Sequence, residues 1–226
     1  MLHLLSSLVT DVTGYIAVDK TRGLTVLSFR GSHTIRNFLA DADFVQVPTD
    51  ICDGCEAHQG IWDSWLEARV GILAALKTTA AQNPRSKVVV TGHSLGGAIA
   101  DIAAAEIRKM GVPADLYTFG APRIAGRKLS DFITNQNAGG NFRITHFDDP
   151  VPRMPPLFLG FVHISPEYFI DKGNDIVPTA NDIKQLSGDV NMLGNTGEPF
   201  KLDIAAHLWY FGKISGCSPH DGIQWK

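Results

Sequence analysis

Apolar positions along this chain recur with two periods, and the two alternate. Gly14–Val18 and Leu24–Phe29 are short strand-like runs on either side of Asp19–Gly23, a polar stretch ending in glycine that reads as a hairpin turn. Further on, Ile61, Trp62, Trp65, Leu66, Val70, Leu73 and Leu76 fall at helical spacing and stop at Asn83-Pro84, which predicts a long amphipathic helix with its tryptophans in the core. A β-branched strand at Val88–Thr91 leads into an alanine-rich helix that ends near Met110-Gly111. A strand near Leu116–Phe119, a helix around Leu129–Asn135 and a strand at Phe142–His146 continue the alternation. Strands that alternate with helices predict an α/β fold, a mostly parallel central sheet with helices on both faces. Residues 171–197 are polar and glycine-punctuated and read as irregular connection.

Composition narrows the function classes. The chain has 226 residues, 44% of them hydrophobic and 19% charged, enough for one globular domain with a full core. A formal net charge of −3 without any Lys/Arg cluster leaves no electrostatic footprint for nucleic acid. No apolar run approaches the length of a membrane span. The apolar start Met1-Leu2-His3-Leu4-Leu5 lacks a basic flank and a small-residue cleavage site, so it is not read as a signal peptide. The three cysteines are Cys52, Cys55 and Cys217. Cys52 and Cys55 have no second pair to complete a zinc site, and they lie in a loop rather than at a helix start. A short structural disulfide is preferred there over a redox pair, and Cys217 is left odd.

The densest chemistry lies at Gly92-His93-Ser94-Leu95-Gly96-Gly97-Ala98, between the Val88–Thr91 strand and the alanine-rich helix. A G-x-S-x-G in that setting is the nucleophile elbow of an α/β-hydrolase. The hydroxyl is presented on a sharp turn whose flanking positions must lack a Cβ, and the helix behind it offers N–H groups and a positive dipole end to a developing oxyanion. A serine needs a base, and the base needs an orienting acid. In this fold the chain order is serine, acid, histidine. That order removes His3, His33, His58, His93 and His146. His163 lies in an apolar run and reads as a core histidine, and His220 sits in a polar tail. His207, placed on a loop before a final short helix, remains. For the acid, Asp148 and Asp149 both follow the Phe142–His146 strand, at the strand end where such folds bind ligands; the spacing does not separate them. The backbone N–H of Leu95 supplies one oxyanion donor, and the loop at Gly31-Ser32 is placed to supply the second.

These parts together resemble the class 3 lipases of filamentous fungi, the Rhizomucor and Thermomyces type. The resemblance runs from about Val9 to Cys217 through Ser28-Phe29-Arg30-Gly31-Ser32, the elbow, Tyr117–Arg123, Arg143–His146, Asp149-Pro150-Val151-Pro152-Arg153, Ser165–Tyr168 and Ala206–Phe211. It implies Ser94 as nucleophile, Asp149 rather than Asp148 as acid, His207 as base, and Ser32 with Leu95 as oxyanion donors. It implies no cofactor and no catalytic metal, a secreted monomer, and a lipid ester substrate met at an oil–water interface. It also implies a single α/β-hydrolase domain over residues 1–226 that lacks the family's N-terminal segment. Family members carry there the cysteine that pairs with the one at Cys217, so Cys217 is expected unpaired while Cys52 and Cys55 bridge.

Thr34–Ala40 occupies the family's lid position, and Ile35, Phe38 and Leu39 form an i, i+3, i+4 apolar stripe. Moving three such side chains into water costs roughly 5–9 kcal/mol, so the lid is expected shut in water and opened by oil. The activity expected is that of a triacylglycerol lipase. A feruloyl-type esterase, which carries a more polar segment here, and a non-catalytic shell of the same fold are the alternatives.

Overall fold

The computed structural model describes residues 2–6, 12–31, 44–199, 201 and 204–214. Its centre is an eight-stranded sheet of β1 (Leu2–Ser6), β2 (Thr13–Asp19), β3 (Leu24–Phe29), β6 (Lys87–His93), β7 (Ala114–Phe119), β8 (Asn141–His146), β9 (Glu167–Ile170) and β10 (Ile183–Leu186), in that spatial order. β3, β6, β7, β8 and β9 run parallel, while β1, β2 and β10 are antiparallel additions at the edges. A separate ribbon pairs β4 (Gln46–Pro48) with β5 (Glu56–His58).

Four helices are described: α1 (Gln59–Gln82), α2 (Leu95–Lys109), α3 (Arg127–Thr134) and the single turn α4 (Ile204–His207). On the strands, burial alternates with period two. Leu27, Phe29, Val88, Val90 and Leu116 point into one core with α1, α2 and α3. α2 lies flush on the sheet because its inner residues are glycine, alanine and isoleucine, nearly all buried. α1 packs outside it, with Trp65 fully buried and edge-on to Phe29. Val70, counted above in the apolar stripe of α1, is instead 75% exposed, and Ile72 takes the inner position. At 100° per residue Val70 falls on the far side from Trp65 and Leu76. The other sheet face carries a half-buried aromatic ladder, Tyr117 on Phe142 on Tyr168, and Tyr210 closes the end of that face near Ile144 and Ile170.

Besides the β4–β5 ribbon, three strands of the large sheet lie outside the alternation read from the sequence. β1 pairs along the edge through the apolar start of the chain, and β9 extends the parallel sheet over only four residues. β10 lies within the stretch read as irregular; an edge strand paired on one side buries little, so Ile183-Lys184-Gln185-Leu186 shows no apolar alternation.

Candidate active site

Ser94 sits between the last residue of β6 and the first of α2, with φ 58° and ψ −132°. For a residue with a Cβ this is a strained backbone, and functional sites are where such strain is kept. The surroundings enforce it. A methyl group on Gly92 would lie 2.2 Å from the Gly96 carbonyl oxygen, and one on Gly96 would lie 2.5 Å from that of Phe29. The Ser94 N–H is tied to the Phe119 carbonyl at 2.9 Å, and its own carbonyl accepts from the N–H groups of Gly97 and Ala98. Leu95 opens α2, so no helical carbonyl lies four residues back for its N–H.

At the end of β8 the chain turns through Phe147, itself at φ 23°, and the Asp149 N–H closes the turn on the His146 carbonyl at 2.9 Å. Asp149 is fully buried, and its carboxylate accepts three groups. His207 Nδ1 lies 2.9 Å from Oδ2 and 3.0 Å from Oδ1, Tyr210 donates its hydroxyl to Oδ2 at 2.6 Å, and the Val151 N–H reaches Oδ1 at 2.9 Å. Asp148 turns away to pair with Lys201 at 2.8 Å. Of the two neighbouring carboxylates, only one meets the histidine.

His207 is the last residue of α4, not part of a loop ahead of it. Its Nε2 and the Ser94 hydroxyl are both buried, and among the described residues neither has a hydrogen-bond partner. They make no hydrogen bond to each other, and the link between the two residues runs through His93. His93, the residue before Ser94, stacks on the His207 ring at a centroid distance of 4.4 Å and holds the His207 carbonyl at 2.8 Å. Burial, followed by repulsion from His207, pushes the His93 pKa down to about 4, so that ring is neutral at ordinary pH. Burial and the neighbouring Asp149 charge hold the Tyr210 phenol well above its usual pKa, so it remains a donor.

Several groups here carry no site role in the sequence reading. Tyr210 is one. Asn195 is another: its Nδ2 donates to the carbonyls of Phe147 and Asp149, each at 2.9 Å, and more weakly to that of His146 at 3.4 Å, which staples the turn that presents Asp149. It comes from the stretch read as irregular connection, where no local pattern marks it. Tyr210 had a usable signal, since it falls within the Ala206–Phe211 match that carries His207. Deeper in, Arg143 and Glu167 are paired at 3.4 Å with both side chains buried. His163 is buried with its Nε2 on the Pro152 carbonyl, as a core histidine should be.

Cys52 and Cys55 form a disulfide in the loop between β4 and β5. Ser32, the residues Ile35, Phe38 and Leu39 expected to form a lid, and Cys217 lie outside the described residues. Among those described, no three His, Cys, Asp or Glu side chains gather as a metal site, and no helix is long and apolar enough to cross a membrane.

A mostly parallel sheet with a strained serine between strand and helix, and a buried Asp–His pair past a later strand, defines an α/β-hydrolase. Comparison with known proteins sharpens this. A family model described as Lipase (class 3) matches residues 26–159. Secreted mono- and diacylglycerol lipase A of Penicillium cyclopium is 48% identical over 97% of this chain and 72% of its own length. The lipase of Rhizomucor miehei is 33% identical over 93% of this chain and 58% of its own. The crystal structure of mono- and diacylglycerol lipase from Aspergillus oryzae superposes with a TM-score of 0.90 at 44% identity, over 95% of this chain and 81% of that one. The chain belongs to the class 3 lipase family and is a carboxylic ester hydrolase.

Proposed function

We propose that Ser94, Asp149 and His207 are the catalytic triad of a secreted lipase that hydrolyses acylglycerols at an oil–water interface. The observation that carries this reading is the buried Asp149–His207 pair, with the His207 ring stacked on His93, the residue before Ser94, and with Nε2 and the Ser94 hydroxyl both buried without a partner among the described residues. With Nδ1–H committed to Asp149, Nε2 is left as the basic nitrogen. Ser94 Oγ attacks the ester carbonyl as its proton passes to Nε2, and the alcohol leaves with that proton. The Leu95 N–H and Ser32 stabilise the oxyanion, and water repeats the sequence on the acyl-enzyme. Leu208, Phe211 and Ile214 stand 45%, 48% and 38% exposed just after the base, which suits contact with an apolar substrate. Closure by the Ile35, Phe38 and Leu39 stripe and a monomeric state belong to the same proposal.

A refinement concerns the substrate. The names of the relatives from Penicillium and Fusarium solani specify mono- and diacylglycerols, which favours partial glycerides over triacylglycerol for this chain as well. Ser94→Ala is expected to lower kcat by about 10⁴–10⁶-fold on a soluble short-chain ester and to abolish labelling by a phosphonate probe. A loss below tenfold means that another group is the nucleophile. Initial rates on mono-, di- and triolein emulsions decide the substrate class. No rise in rate at the solubility limit of a short-chain glyceride removes the lid argument.

A further inference from the structure

We infer that His93 and His146 are positioning residues, which hold the turn bearing His207 by its backbone through two imidazole N–H donors. This rests on the reading of His207 as the base. His93 Nε2 lies 2.8 Å from the His207 carbonyl oxygen, and His146 Nδ1 lies 2.9 Å from that of Ala206. The two histidines are the last residues of β6 and β8, strands separated only by β7. A pair of rigid strand ends therefore grips consecutive carbonyls of one short turn.

The turn needs such support. α4 is four residues long, and an isolated helical turn does not hold itself together in water. The Ala206 carbonyl also accepts the Trp209 N–H, but at 3.4 Å. Asp149, itself held by the Tyr210 hydroxyl, fixes the His207 ring through Nδ1, a contact that acts on the side chain and not on the backbone. The histidine contacts act on the backbone directly. His93 adds a ring contact with His207 and is covalently joined to Ser94, so one residue links nucleophile and base. A carbonyl oxygen only accepts, so both contacts require an N–H. The geometry thus assigns tautomers: Nε2–H at His93 and Nδ1–H at His146.

Two measurements test this. The first is ¹⁵N-histidine NMR of the unmodified protein at pH 7, with signals assigned by their loss in His93→Gln and His146→Asn. The stated tautomers are expected, and the opposite tautomer at either ring overturns the proposal, whatever the variants do. The second uses kinetics on a soluble ester. Displacing the base by a fraction of an ångström should lower kcat by about 10- to 100-fold in His93→Leu, with KM within about threefold. His93→Gln, which puts an amide N–H where Nε2–H was, should recover most of that loss, and His146→Asn should do the same relative to His146→Leu. Leucine variants that fold and keep kcat within threefold of the parent sink the positioning role alone. Activity that survives His207→Ala sinks the triad reading beneath it.

Discussion

Gly120 is where a single methyl group should separate fold from catalysis. It follows β7 at φ 59°, and its N–H is held by the Ile144 carbonyl at 3.0 Å, so the backbone has little room to retreat. A Cβ there would stand 2.6 Å from Tyr210 Oη, 2.9 Å from Asp149 Oδ2 and 3.1 Å from His207 Cε1. Relaxed contacts with carbon begin near 3.5 Å, so the three groups must withdraw by roughly 0.5–1 Å together. Displacement of that size at reacting groups lowers kcat by about 10- to 100-fold. The left-handed backbone adds a separate cost of about 1–2 kcal/mol, or roughly 2–8 °C in Tm for a chain of this length. Gly111 provides the control: its φ is 82°, yet a methyl group would meet nothing within 4 Å. Gly111→Ala should lose comparable thermal stability and keep its kcat. The assay is kcat on a soluble short-chain ester beside a thermal melt for both variants. If Gly120→Ala retains kcat within twofold, or if both variants lose it equally, crowding of the Asp–His–Tyr group is not what the glycine prevents.

Two further outcomes follow from buried groups. Tyr210→Phe removes one charge-assisted bond worth about 1.5–3 kcal/mol but leaves Asp149 its bonds to His207 and Val151, so Tm should fall by roughly 3–12 °C while kcat falls by less than about tenfold; a melt identical to the parent refutes this. Asp101 is buried on the inner face of α2, and burial, only partly offset by Arg143 and Arg108, pushes its pKa from 3.8 up to about 8. Between those two values the unfolded chain gives up a proton that the folded chain keeps, so this carboxyl costs stability progressively as pH rises. Asn carries no such proton. The Tm of Asp101→Asn relative to the parent should therefore climb from pH 4 to pH 8, and a flat or falling difference would contradict the assignment.

Much of this architecture is legible in the chain because it is locally encoded. Alternating β-branched runs, the Asn83-Pro84 stop and the glycines of the elbow each act on their own neighbours, so α1, β3, β6, β7 and β8 and the strained Ser94 follow from short windows. The order of serine, acid and histidine along the chain, together with the apolar setting of His163 and the polar tail around His220, points to His207. Choosing Asp149 over Asp148 needed resemblance to a family, since adjacent residues differ only in which way the turn throws them.

What tertiary structure alone decided is everything that depends on distant segments meeting. The turn at Phe147 sends Asp148 to Lys201 and Asp149 to His207, 58 residues further on. Asn195 staples that turn from a stretch with no periodicity, and β10 gains its strand character from pairing with β9 rather than from its own residues. His93 and His146 look dispensable in the linear order because each precedes the acid, yet their rings reach the backbone of α4. Sequence specifies these positions through the fold as a whole: a polar side chain buried by remote partners leaves no mark on the residues beside it.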